Sequence, residues 1–336
     1  MKTRCIPILV IVLSGICAPV PAATYQRLDL GAWMWVSDMN QAGQVVGTGL
    51  DYNGRVWDPH TGLSTLPCES GTYPQGINDS GVMVASTRQG GAIRVDASGT
   101  ITPLVGLSTR KTTPSKINNA NQVAGGSYTS DYFLRPVIWD SAGSVSDLGV
   151  IDATRDTGWA NDINDAGQVV GESSGHAFVW STSWGMRDLG PGEAVAINSG
   201  GSVVVNGTDR ASSYVWRDGV GLSPLGLLPD WVSIFGADIN GSGQVVGGAM
   251  DIAGNRLPVL WNPDGSIVVL PKPPGAAPSY GEAVAINDSG LVLGSVHYEG
   301  YLWVSVPEPG ALSILLAGLA GVGIAIRTRR ARQTSQ

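Results

Sequence analysis

Seven copies of one short pattern constrain this chain more than any other feature. Aligned on an Ile-Asn or Met-Asn dipeptide, the anchoring residues are Asn40, Asn78, Asn118, Asn164, Asn198, Asn240 and Asn287. Three residues after each stands Gly43, Gly81, Asn121, Gly167, Gly201, Gly243 or Gly290. The single exception is the non-glycine residue that best tolerates a left-handed backbone, so the pattern writes one backbone geometry seven times. An Asn side chain that bonds back to the main chain opens a type I turn, and a left-handed residue closes it as a bulge. Each copy therefore predicts a hairpin.

The residues that follow supply the strands. Gln44-Val45-Val46-Gly47, Gln122-Val123-Ala124-Gly125, Gln168-Val169-Val170-Gly171 and Gln244-Val245-Val246-Gly247 have the β-branched composition of buried strands. A third strand ends in Trp57, Trp139, Trp180, Trp216, Trp261 or Trp303, 16 to 21 residues after its asparagine, with Val95 in the second copy. A fourth ends in a leucine, as at Leu148, Leu189, Leu225 and Leu270. Four strands repeated about every 41 residues predict an all-β, seven-bladed β-propeller. The seventh copy stops at Trp303 without a fourth strand, while Arg27-Leu28-Asp29-Leu30-Gly31 has the form of one with no blade of its own. Pairing the two closes the ring and removes an exposed edge. The propeller is expected over residues 24–305.

The ends predict where the protein goes. Lys2 and Arg4 precede an apolar run from Ile6 to Ile16, and Val20-Pro21-Ala22 offers small residues for signal-peptidase cleavage. Residues 1–22 are read as a secretory signal. Residues 306–332 begin with Val306, Pro307, Glu308 and Pro309, continue as a short apolar transmembrane helix, and finish with Arg327, Arg329, Arg330 and Arg332. This order of parts resembles the PEP-CTERM sorting signal. The resemblance implies recognition by an exosortase-like transpeptidase, loss of the helix after cleavage near Pro307 to Pro309, and a final location at the cell surface or in the extracellular matrix. The repeats also resemble the extracellular repeats named for His-Ala-Phe, spelled here as His176-Ala177-Phe178, which implies secretion and a propeller-like fold without catalytic residues.

Charge and cysteine narrow the partners. Removing the six positive charges of the two targeting segments from the formal −7 leaves about −13 on the exported body, a poor match for nucleic acid. Cys5 and Cys17 leave with the signal, so Cys68 has no partner within the chain and stability must come from the core.

The candidate site residues lie five positions before the repeat asparagines: Trp35, Tyr73, Trp159 and Phe235, with Glu193 and Glu282 in the fifth and seventh copies. Here the chain passes from the outer strand of one blade to the inner strand of the next. These residues either seal neighbouring blades or form a binding platform for a glycan or peptide. Asp38, Asp162 and Asp238 stand two residues before their asparagines but lack the oxygens a calcium loop needs, and are read as turn residues or water-solvated carboxylates facing the channel. No nucleophile elbow, zinc motif, phosphate loop or Cys-His pair occurs, and no cofactor or metal is expected. The expectation is a non-catalytic surface or matrix scaffold that binds envelope polysaccharide or protein. The alternative is a secreted carbohydrate-active lyase or hydrolase.

Overall fold

The computed structural model describes residues 24–30, 33–66, 68–154, 157–272, 280–296 and 299–306. Tyr25–Ser305 form one compact unit. Their strands assemble into seven four-stranded antiparallel sheets, the blades of a propeller. Blade 1 consists of Trp33–Met39, Val45–Gly49, Gly54–Asp58 and Gly62–Thr65, from the inner strand to the outer. Blades 2 to 6 repeat that order.

Blade 7 is composite, as the sequence requires. Its inner three strands are Gly281–Ile286, Val292–Val296 and Glu299–Val306, and its outer strand is Thr24–Asp29 from the other end of the chain. Leu30 N donates to the Gly300 carbonyl at 3.1 Å. Leu66, Leu148 and Leu270 make the same bond to Gly54, Pro136 and Pro258 in their own blades. The borrowed strand thus reproduces the native outer-strand register.

Every Asn-x-x-Gly turn forms as its residues dictate. In blade 1 the Asn40 amide donates to Gln44 O at 3.1 Å and Gly43 N to Asn40 O at 3.0 Å. The closing residues of the seven turns have φ between 59° and 83°, with Asn121 at the low end. We call the face carrying these turns the lower face; the connections from blade to blade open on the upper one.

Between blades, the repeat tryptophans are packing residues. Trp139, Trp261 and Trp303 are buried, and their indole nitrogens donate to Val105, Gly226 and Pro271 carbonyls just past the outer strand of the preceding blade, each at 2.8 Å. One fully buried ring of this size contributes on the order of 4 kcal/mol by apolar area. Trp57, Trp180 and Trp216 are half-buried.

A feature absent from the sequence reading recurs on all seven inner strands. Each carries a bulge between the residues four and two positions before the asparagine, as between Ala160 and Asp162 or Gly236 and Asp238. A bulge re-aims the next side chain, and here the re-aimed side chains of blades 1, 3, 4 and 6 line the central channel.

Candidate functional site

The channel wall is built from the repeat asparagines. Asn40 Nδ2 donates to the Asn78 carbonyl at 3.0 Å, Asn78 to Asn118 at 3.1 Å, Asn118 to Asn164 at 3.0 Å and Asn164 to Asn198 at 3.0 Å. Asn198 donates to Asn240 at 2.9 Å, Asn240 to Asn287 at 3.2 Å, and Asn287 back to Asn40 at 3.4 Å. The circle is closed across the chain ends. Each Oδ1 meanwhile accepts the amide four residues on, at 2.8 to 3.0 Å. Only an amide side chain can donate and accept in this way.

Deeper in the same channel, a cavity of about 240 Å³ is lined by Asp38, Lys116, Asp162 and Asp238. Asp38 pairs with Lys116 and accepts Ile77 N of the next blade at 2.9 Å. Asp162 accepts Ile163 N and, across the junction, Ile197 N, both at 2.8 Å. Asp238 does the same with Ile239 and Ile286, both at 2.8 Å. Of the two expectations for these aspartates, the channel-facing one holds. The bulges turn these groups inward, where they clamp one blade to the next through main-chain amides.

Burial pushes the Asp162 carboxyl up to about 7, with Lys116 opposing and Asp238 adding to the rise. Asp238 is also raised, chiefly by burial. Burial works against the Lys116 ammonium, but Asp38, Asp238 and Asp162 together hold its pKa above the ordinary lysine value. Among the described residues no group of three or more His, Cys, Asp or Glu side chains is arranged to hold a metal ion.

The upper face holds the second feature, an open groove of about 630 Å³ crossing blades 4 to 7. Of the residues singled out from the sequence, Glu193, Phe235 and Glu282 line it. Glu172, Arg210 and Arg256 join them. Glu193 accepts Asn161 Nδ2 at 3.0 Å, Glu282 accepts the Tyr280 hydroxyl at 3.3 Å, and Glu172 accepts Gly175 N. Arg256 lies 5.1 Å from the Tyr280 ring centroid and donates to its hydroxyl at 3.4 Å. The groove thus sets carboxylates held by neutral donors beside guanidinium groups and an aromatic ring.

Trp35, Tyr73 and Trp159 lie outside this groove. Trp159 seals a junction: its Nε1 donates to Ser115 Oγ of the preceding blade at 2.9 Å, and its ring lies where a Cβ on Gly126 would have to go. Tyr73 is half-buried. Trp35 is exposed and stands beside Tyr52.

Sequence reasoning missed Glu172, Arg210 and Arg256. Glu172 had a usable signal, since hairpin register places it opposite Trp159. The arginines sit in or beside the connections of variable length between second and third strands, where no repeat position marks them. The His176 ring contacts the Asp188 carboxylate at 2.9 Å on blade 4 and does not line the groove. Of the sorting-signal residues, Val306 ends the last strand, while Pro307, Glu308, Pro309, Arg327, Arg329 and Arg330 lie outside the described residues, as does the expected signal at 1–22.

Comparison with solved structures finds a streptogramin B lyase at 10% identity and TM-score 0.61, covering 84% of this chain and 97% of that one. Virginiamycin B lyase from Staphylococcus aureus is similar at 9% identity and TM-score 0.58, covering 84% and 99%. YCF48 bound to a D1 peptide is similar at 15% identity and TM-score 0.53, covering 84% and 97%. At these identities the likeness shows the propeller fold alone. No curated protein matches the chain. At its C-terminal end, residues 305–330 match the PEP-CTERM protein-sorting motif, which indicates a secreted surface protein carrying a sorting signal for an exosortase.

Proposed function

We propose that this protein is a non-catalytic surface or matrix scaffold whose propeller binds extracellular polysaccharide in the upper-face groove. The observation that carries the reading is the meeting of Phe235, Glu193, Glu282 and Arg256 in one open groove. A sugar offers an apolar C–H face to an aromatic ring and hydroxyl edges to carboxylates and guanidinium groups, so each group has a matching role. The sorting motif supports the reading, because an exported surface protein is exposed to extracellular polymers. Co-sedimentation of the full-length protein with extracellular polysaccharides should show retention that Phe235→Ala and Arg256→Ala each reduce about tenfold, which corresponds to about 1.4 kcal/mol. Retention of the double variant equal to wild type would move the site elsewhere.

One observation favours a second reading, a polysaccharide lyase or hydrolase: three glutamates line the same groove as two arginines. Two carboxylates flanking a glycosidic bond suffice for hydrolysis, and proteins named as lyases share this fold. Release of reducing or unsaturated ends, lost in Glu193→Gln or Glu282→Gln, would establish it.

A further inference from the structure

Five of the turns joining second to third strands on the upper face share one backbone plan. In blade 1, Gly49 N donates to Asn53 O at 2.9 Å and Tyr52 N to Gly49 O at 3.0 Å. Blades 2, 3, 5 and 6 build the same kind of closure on Gly90, Tyr132, Arg210 and Gly254. The five closing residues all have positive φ, at 60°, 84°, 69°, 54° and 82°. Glycine takes this conformation without steric cost, as blades 2 and 6 do, whereas a large side chain there is strained. The fold alone gives no reason for tyrosine at position 52. Strain retained at an exposed position points to a use for the side chain.

Tyr52 stands against a second exposed ring. Its centroid lies 6.4 Å from that of Trp35, with the planes tilted by 44°. Tyr52 is 51% exposed and Trp35 45%, so neither ring is spent on the core. The rim beside them is polar and held in place. Asp51 accepts Asn53 Nδ2 at 2.8 Å and pairs with Arg55 at 2.5 Å, while Arg55 also donates to Thr65 Oγ1 at 2.5 Å. Apolar ring faces bordered by a fixed carboxylate, amide and guanidinium suit a pyranose, which needs both. A lipid surface would find charges on its apolar side, and a free anion would meet Asp51.

We infer that Trp35 and Tyr52 form a sugar-stacking subsite on blade 1, separate from the groove, for the flat C–H face of an equatorially substituted hexopyranose in a polysaccharide chain. Blade 1 adjoins blade 7, whose Glu282 lines the groove, so the platform extends the same face. The inference rests on the reading of the protein as a polysaccharide binder, and the choice of variants separates the two.

The test is titration calorimetry of the full-length protein with cellohexaose and chitohexaose, together with thermal melting. Trp35→Ala and Tyr52→Gly should each weaken binding of at least one oligomer tenfold or more, and Tyr52→Phe should retain it. Because glycine suits the turn, Tyr52→Gly should melt at or above the wild-type temperature, which a structural tyrosine would not allow. Binding unchanged in both variants, or a Tyr52→Gly protein melting several degrees lower, overturns the subsite. Loss of binding in Phe235→Ala with none in the blade 1 variants leaves the groove standing and this inference fallen. A wild-type protein that binds neither oligomer overturns it as well.

Discussion

Each repeat asparagine closes its own turn through Oδ1 and reaches the next blade through Nδ2. A single residue type thereby performs a local and a tertiary task, and that is why aspartate never replaces it. The channel carboxylates show a different chemistry. The Asp162 carboxyl is raised to about 7 because burial disfavours its charge. A group raised in the folded state gives stability that is fully present below its unfolded value of roughly 3.9 and is lost as pH rises through the folded value. The turn aspartates Asp58, Asp96 and Asp251 are lowered, chiefly by side-chain hydrogen bonds, and so act oppositely, losing their contribution as pH falls below about 4. Thermal melting should therefore show greater stability near pH 5 than near pH 8. Asp162→Asn should flatten that slope and melt a few degrees above wild type at pH 8. A slope unchanged in the variant would mean that Asp162 does not titrate in this range.

At the scale of the strand, the inner-strand bulge and the glycine of the second strand belong together. On Gly125, Gly171, Gly247 and Gly294 a Cβ would run into the carbonyl oxygens of Thr113, Trp159, Phe235 and Glu282. The close approach of two backbones excludes a side chain at these positions. Blades 2 and 5 carry Ala85 and Val205 at the corresponding place, so the approach is wider there. Gly171→Ala should cost about 1 to 3 kcal/mol by forcing the strands apart, read as a lowered denaturation midpoint. Ala85→Gly, which relieves no clash, should change the midpoint far less.

For the molecule as a whole, stability depends on a ring closed by the chain's own two ends. Thr24–Asp29 supplies the outer strand of blade 7, and Leu30 is buried at 3% exposure. A protein lacking residues 24–30 should melt at least 10 °C lower and associate through the uncovered Glu299–Val306 edge, measured by calorimetry and light scattering. Leu30→Ala, which keeps the backbone pairing, should cost about 2 to 5 kcal/mol without promoting association. Equal association in both proteins would show that the side chain rather than the strand protects the edge.

Blade number, strand order and the closing strand were all legible in the sequence, because each rests on a local rule written several times over. A left-handed residue three after an asparagine, a β-branched run and a terminal tryptophan are short-range facts, the first written seven times and the last six, and that repetition made them unmistakable. Tertiary structure alone decided what depends on neighbouring blades. The bulge that turns Asp162 into the channel leaves no mark of its own in composition. The groove joins Glu193, Phe235 and Glu282, which share one repeat position, to Glu172, Arg210 and Arg256, which do not, and the ring curvature that brings them together from four blades is a property of the closed circle.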